Sequence, residues 1–599
     1  MKRIAVLLCV LLAASGLYAN TAKISPDLQN YTSTAPVQVI VQYVPPSQQS
    51  CASLLGSVDC MLNAVLSAGG TVLAKLPVVN DVVALVNATQ LVNLSNDSNV
   101  AYISRDRNLS TLLSNAAPAI NAPAAWNSGF TGKGIGVALI DSGVNSHPDL
   151  TTKTLFLTTS RVVYSQSFVP GQLLSTGDAY GHGTHIAGLI AGNGNSSTGN
   201  AYLKTFKGIA PDANVVNLRV LDGNGTGTDS AVLSAISQAI ALKALYNIRV
   251  INLSMGRPVF ESYKLDPLCQ AVELAWKSGI VVVVAAGNNG RYPGTNGYGT
   301  ITSPGNDPYV ITVGAMKPMG TPDRTDDLIA SYSSKGPTII DHVVKPDIVA
   351  PGNLLVSTET SATSLYAGEP GNRVPLSYYV IGGSTSAMST TYFTLSGTSM
   401  ATGVVSGAVA DLLQAQPGLT PDQVKARLMR TAYKTFPKSS SVYDPATGIS
   451  YSSQYDIFTV GAGYVDLAAA LSSTALASGT AMSPTAQYDS TSGNTYLYRD
   501  PSSVWGSSAM WGSTAVYGTQ VLLSGTSTTS GSSAMWGSSA MWGSSAMWGS
   551  SAMWGSSTTS GFSTIWAGSA MWGSSAMWGS SAMWGSSAMW GSSISGGEK

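Results

Sequence analysis

Charge and histidine are both scarce in this chain of 599 residues. Charged side chains make up 10% of it and cancel to a formal net charge of zero. A nucleic-acid partner needs a basic surface, so this composition argues against one, and against charge-driven membrane binding. Long apolar runs are missing too. A transmembrane helix takes ~20 apolar residues, and the most apolar interior stretch, "IVVVVAAG" (280–287), is too short and reads as a buried strand. Of the four cysteines, Cys9 lies in the first apolar run, and Cys269 in "DPLCQAVELAWKSG" reads as a buried helical position. Cys51 and Cys60 can form a disulfide only if residues 51–57 are loop. A continuous helix between them would hold their Cα atoms about 13 Å apart. Two of the four histidines fall in one stretch, "DAYGHGTHIAG" (178–188), between glycines. Either they form a metal-binding pair on a helix, or one is a catalytic base and the other packs the helix.

The chain is too long for one ordinary domain, and its composition changes in zones. Residues 1–19 carry Lys2 and Arg3, an apolar run from Ile4 to Ala14, and small residues up to Ala19. That is the layout of a secretory signal, so the mature protein is expected outside the cell or at its surface. Residues 20–108 read as a small α+β unit. "PVQVIVQY" (36–43) alternates as a strand and "VDCMLNAVLSAGG" is a helix closed by Gly69 and Gly70. "TVLAKLPVV" is a strand, "DVVALVNATQLVNL" a helix, and "NVAYISRD" (99–106) a strand. This pattern predicts a small split β-α-β sandwich of the ferredoxin-like kind. Residues 109–475 alternate buried strands ("GIGVALID", "NVVNLRVL", "RVINLSMG", "IVVVVAAGN", "YVITVGA") with amphipathic helices. This predicts an α/β domain with a mainly parallel central sheet and ligands beyond the carboxyl ends of its strands. Residues 476–599 form a linker and a tail in which "SSAMWG" recurs.

Three element ends in the α/β zone carry the polar residues of a nucleophilic relay. Asp141 is the first polar residue after the strand in "VALIDSGV". His182 stands at the mouth of a helix in "GHGTHIAG". Ser399 begins an apolar helix in "TLSGTSMATG" (394–403). A serine hydroxyl is a weak nucleophile alone. It needs an imidazole within hydrogen-bond reach, and the imidazole needs a carboxylate to set its tautomer. Asn288, in "VVAAGNNG", supplies a side-chain amide at a fourth strand end, suited to a developing oxyanion.

In order and wording these loops resemble the subtilisin-like (subtilase) serine proteases. "DSGV", "HGTHIAG", "AAGN" and "GTSMA" match, as do "GIAPDANVVNLRVL", "VINLSMG", "SYSSKGP" and "KPDIVAPG". The resemblance spans about 109–475, and residues 20–108 resemble the inhibitor-type propeptide of that family. It implies a three-layer fold, a secreted serine endopeptidase acting on polypeptides, and no cofactor for catalysis. Asp141 orients His182, His182 is the general base, and Ser399 is the nucleophile. Asn288 and the Ser399 backbone N–H form the oxyanion hole. Substrate lies as a strand beside Leu221, Gly223 and Gly225 and beside Leu253, Ser254, Met255 and Gly256. The primary pocket is walled by Leu253 to Met255 and by Ala285, Ala286 and Gly287, with Thr302 near its floor. Nothing there is charged, so an apolar or broad preference is expected. The propeptide would chaperone and inhibit the enzyme until self-cleavage near "SRDRNLS" (104–110).

His182 thus answers as the base, and His185 lies nearly one turn on. A zinc reading lacks a third ligand, because His147 and His342 stand in unrelated loops. Asp149 matches a position that binds structural calcium in some relatives, but the loop expected to complete that site differs here. A surface aspartate without metal is the competing reading. Two departures from the family stand out. Gly403 replaces the usual proline and is expected to loosen the nucleophile helix. Residues 353–393 form a longer insert, expected to be a lid or rim. In the tail, from Pro501 to Gly597, there is no charged residue, and Trp536, Trp542, Trp548 and Trp554 recur in register. An even period keeps each repeat on the same strand face, which suits a β-rich module for self-association or surface retention. Low-complexity disorder is the alternative. A catalytically silent adhesive protein built on the same fold is the competing function.

Overall fold

The computed structural model describes residues 20–25, 28–44, 48, 57–76, 81–105, 116–154, 157–444, 447–489, 494–498, 521–523 and 598. The signal segment, Cys51, the Cys60 side chain, most of "SRDRNLS" and the SSAMWG repeats lie outside them. The chain divides into two compact units, Met1–Ser110 and Thr111–Lys599.

The first unit is a four-stranded antiparallel sheet with two helices. Its elements are β1 (Val37–Tyr43), α1 (Ser57–Ser67), β2 (Thr71–Leu76), β3 (Asp81–Val86), α2 (Ala88–Ser95) and β4 (Val100–Arg105), in spatial order β2-β3-β1-β4. Strand β1 buries Val37, Val39, Val41 and Tyr43 and turns Gln38 and Gln42 outward, the alternation of a half-buried strand. One expectation fails here. "DVVALVNATQLVNL" is not a single helix: its first half is strand β3, with Val82, Val83 and Val86 buried. The break is local chemistry. Extended Asn87 accepts the Gln90 N–H at 3.0 Å, while the Gln90 side chain accepts the Asn87 N–H at 2.8 Å. This capping box starts the helix at Ala88 and leaves the β-branched run before it to the sheet.

The second unit is built on a large, mostly parallel sheet. Its strands are β5 (Gly136–Asp141), β6 (Val162–Ser167), β7 (Asn214–Arg219), β8 (Ile248–Leu253), β9 (Val281–Ala285), β10 (Ile311–Lys317), β11 (Leu328–Ile329) and β12 (Ile348–Pro351). They run in the order β11-β10-β9-β8-β5-β7-β6, with β12 also pairing β10, and only the β10–β11 pair is antiparallel. Strands β5 and β9 are buried at every position, as sheets covered on both faces require. Helices α3 (His182–Ala191), α4 (Asp229–Tyr246), α5 (Pro267–Lys277), α6 (Thr398–Ala415) and α7 (Pro421–Thr431) cover it. Cys269 is buried in α5. Helix α6 is buried from Thr398 to Leu413 and packs on α3 and on strands β8, β9 and β10. Among the described residues no helix is long and apolar enough to cross a membrane.

Because the strands are parallel, their carboxyl ends gather on one edge. β5 lies between β7 and β8, so the chain order reverses there, and the crevice at such a switch point is where ligands sit. The insert at 353–393 folds as a three-stranded sheet of β13 (Leu355–Thr358), β14 (Arg373–Pro375) and β15 (Met388–Leu395), with β15 central. It closes over Phe206, Val356, Val374, Tyr379 and Tyr392. Its Ser364 Oγ donates to the Gly223 carbonyl at 2.8 Å, and its Leu365 N–H to the Tyr180 carbonyl at 2.9 Å.

Candidate active site

Asp141 ends β5 and His182 begins α3, and the fold brings them into contact. His182 Nδ1 lies 2.8 Å from Asp141 Oδ1, which also accepts the Ser142 N–H at 2.7 Å. Both side chains are fully buried. The approach depends on Gly183, since a Cβ there would stand 2.2 Å from the Gly143 carbonyl. His182 Nε2, on the far side of the ring, has no hydrogen-bond partner among the described residues. Burial pulls the His182 pKa down, but the Asp141 charge, the Asp141 hydrogen bond and Asp178 outweigh it, leaving it above the usual histidine value.

Ser399 sits in the first turn of α6. Its Oγ donates to the Ser254 carbonyl at 3.0 Å rather than to His182, and Ser254 Oγ donates to the Ser399 carbonyl at 2.9 Å. The contact between α3 and α6 includes Gly403, where a Cβ would meet Ile186 and Leu189 at 3.4 Å. Gly403 does not interrupt α6. Asn288 follows β9, and its Oδ1 accepts the Thr398 N–H at 2.9 Å and the Thr398 hydroxyl at 3.0 Å. That pins the amide beside the helix N-terminus, where peptide dipoles favour negative charge.

A cavity opens beside Ser399. Asn288, Ser254, Met255, Gly256, Ala285, Gly287 and Thr302 line it, and among the described residues no charged one does. Leu253 and Ala286, expected in the wall, are buried and do not line it. Thr302 is buried, with its hydroxyl 3.4 Å from the Ala286 carbonyl. Leu221, Gly223 and Gly225 do not line this cavity. They lie on the loop after β7, with Gly225 against the Tyr180 ring.

Other residues, not evident in the sequence, hold this frame. Buried Asp178 accepts from Ser142 Oγ at 2.8 Å, Gly181 N at 2.7 Å, and Thr184 N and Oγ1 at 2.8 and 2.7 Å. Ser142 Oγ in turn accepts the Gly183 N–H at 2.9 Å, tying the end of β5 to the start of α3. Burial raises the Asp178 pKa, while these donors oppose the rise. The only sequence signal was an aspartate just before the histidine motif. His185 Nε2 faces the carbonyls of Leu355 and Phe393, both at 3.1 Å, and burial followed by His182 pushes its pKa to about 3. It is a neutral packing residue.

Asp149 is not at the surface: it is fully buried. Its carboxylate accepts Ser196 N–H at 2.7 Å and Tyr392 O–H at 2.5 Å, and its carbonyl accepts Arg161 Nη2 at 2.6 Å. Hydrogen-bond donors and a guanidinium surround it, a setting that does not fit calcium, which requires six to eight oxygen ligands.

Comparison with known proteins agrees with this architecture. The profile of the subtilase family matches residues 132–454. The serine protease AprX of Bacillus subtilis (strain 168) is 37% identical over 361 residues, 58% of this chain and 73% of that protein. Subtilisin E of the same organism is 33% identical over 369 residues, covering 61% and 78% of the two chains. An alkaline protease of Alkalihalobacillus alcalophilus is 33% identical over 339 residues, 56% and 70% of the two. The α/β fold together with these relatives defines the class, a serine endopeptidase. Within that class, the chain belongs to the subtilase family.

Proposed function

We propose that this protease acts through Ser399, His182 and Asp141, with Asn288 and the Ser399 N–H as the oxyanion hole. The buried Asp141–His182 hydrogen bond, with His182 Nε2 left without a partner among the described residues, carries the reading. Substrate binding turns Ser399 Oγ from the Ser254 carbonyl toward His182 Nε2. The oxygen attacks the scissile carbonyl carbon and its proton passes to Nε2. The tetrahedral oxyanion is held by the Asn288 amide and the helix N-terminus. Its collapse breaks the C–N bond, the amine leaves with the proton from His182, and an acyl-enzyme remains on Ser399. Water, deprotonated by His182, then hydrolyses that ester.

The uncharged lining of the cavity supports an apolar or broad preference at the residue before the cut. Polypeptide backbone would pair with the loops at 221–225 and 253–256. The N-terminal unit is read as a propeptide that the enzyme removes itself, the first 19 residues as an export signal, and the Trp-rich tail as a self-association or surface-retention module. The ferredoxin-like topology of the first unit supports the propeptide assignment. The test is a fluorophosphonate label, with the N-terminus determined for the native chain and for Ser399→Ala. The label should fall on Ser399, and only the native chain should begin near residue 110. An unlabelled chain that keeps its N-terminal unit would favour a catalytically silent surface protein.

A further inference from the structure

Glu598 is the first acidic residue after the uncharged stretch from Pro501 to Gly597, and it lies buried against the catalytic unit. Its Oε1 accepts Arg291 Nη2 at 2.9 Å, the Ser331 N–H at 2.9 Å, and the Ser331 hydroxyl. Its main chain is read separately. Asn353 Nδ2 donates to the Glu598 carbonyl at 2.8 Å, and the Glu598 N–H donates to Asn353 Oδ1 at 2.9 Å. One amide thus matches both backbone groups of one residue, while a guanidinium and a serine reach one carboxylate oxygen, Oε1, and Oε2 has no partner among the described residues.

The receptor side is braced by its own contacts. Arg291 Nε donates to Ser331 Oγ at 2.8 Å and Nη1 to Asp444 Oδ2 at 3.0 Å, and the guanidinium lies over the Tyr451 ring at 4.8 Å. Preorganisation of this kind lowers the ordering cost of binding. The place is informative as well. Arg291 follows Asn288 on the same loop. Asn353 follows Gly352, whose carbonyl accepts the N–H of Gly397, just before Ser399, at 2.8 Å. We propose that Arg291, Ser331 and Asn353 form a binding site for the glutamate of this chain's own Gly-Gly-Glu segment. The site holds the end of the repeat region against the loops that carry Asn288 and Ser399.

The test uses the Ser399→Ala chain, to prevent self-digestion, and the same chain stopped after Gly597. A labelled peptide ISGGEK should bind the shortened chain at least about tenfold tighter than the full chain, whose site is filled. ISGGQK should bind the shortened chain at least about tenfold weaker than ISGGEK, since a charge-assisted pair is lost. Equal binding to both chains, equal binding of both peptides, or no binding to a folded shortened chain would overturn the proposal. If the shortened chain does not fold, hydrogen exchange decides it in the full chain. The Ser331 amide should exchange at least about tenfold faster in Glu598→Ala, and an unchanged rate refutes the site. Dimers that vanish on truncation would mean the site takes a second copy's glutamate, which also overturns the intramolecular latch.

Discussion

His182 Nδ1 stands 2.8 Å from Asp141 Oδ1, with neither side chain exposed to solvent. The pair sets the pH response of the proposed base. A protonated imidazole cannot accept the Ser399 proton. Because the Asp141 charge holds the His182 pKa above 6.5, kcat/KM should rise with pH through an apparent pKa above that value. Asp141→Asn leaves burial opposed by Asp178 alone, so the acid limb should move to lower pH while kcat falls by about 10⁴. A pH series of kcat/KM on a peptide substrate checks both effects. An unmoved acid limb in the variant would assign the titration to another group.

Asn288 Oδ1 accepts from Thr398, and the proposed function gives the amide nitrogen a role only in the transition state. Asn288→Ala should therefore lower kcat by about 10²–10³ with little change in KM. Ser399→Ala should lower kcat by about 10⁶ and abolish fluorophosphonate labelling. Steady-state kinetics on one substrate separate the two.

Far from the crevice, Asp347 is enclosed between two buried ammonium groups, Lys345 Nζ at 2.7 Å and Lys425 Nζ at 3.1 Å. Burial pushes the Asp347 carboxyl up, but Lys345 and Lys425 more than reverse that and hold it low. Removing the carboxylate leaves two buried cations facing each other. Asp347→Ala should cost about 3–5 kcal/mol of unfolding free energy. Denaturant unfolding in the Ser399→Ala background measures it. A loss below about 1 kcal/mol would mean that carbonyls alone hold the lysines.

Gly403 tests the expectation drawn from its departure from the family pattern. A Cβ there stands 3.4 Å from Ile186 Cγ2 and Leu189 Cβ, a close but permitted contact between α3 and α6. Gly403→Ala should raise stability by up to about 1 kcal/mol through helix propensity. It should leave kcat/KM unchanged, because Ser399 already holds its bond to Ser254 in an unbroken helix. A lower thermal midpoint would show that the added methyl overpacks the contact between α3 and α6.

Much of the fold is legible in the strands. Val281–Ala285 can be read because an apolar run of that length between breakers has few other solutions. Asp81–Val86 is not legible in the same way. Its valines suit a strand or a buried helix face equally, and the deciding capping box at Asn87 involves a Gln90 side chain whose partner cannot be seen in spacing alone. The residues around the site divide similarly. Asp141, His182, Asn288 and Ser399 stand out because each is polar, sits at an element end and has a glycine within two residues. Asp178, Ser142 and Thr398 do not, since aspartate, serine and threonine in loops are common turn formers.

The sequence by itself determined the strand and helix alternation, the zones of composition and the candidate chemistry, because periodicity and residue type are local properties. Only the tertiary structure decided which polar groups share a buried space. It turned Ser399 Oγ toward Ser254, enclosed Asp149 among donors and bent the insert at 353–393 into a sheet. It also set Glu598 against Arg291 and Asn353. Those contacts join residues far apart in the chain. Their partners follow from how a parallel sheet collects its strand ends on one edge, which no short stretch of residues encodes.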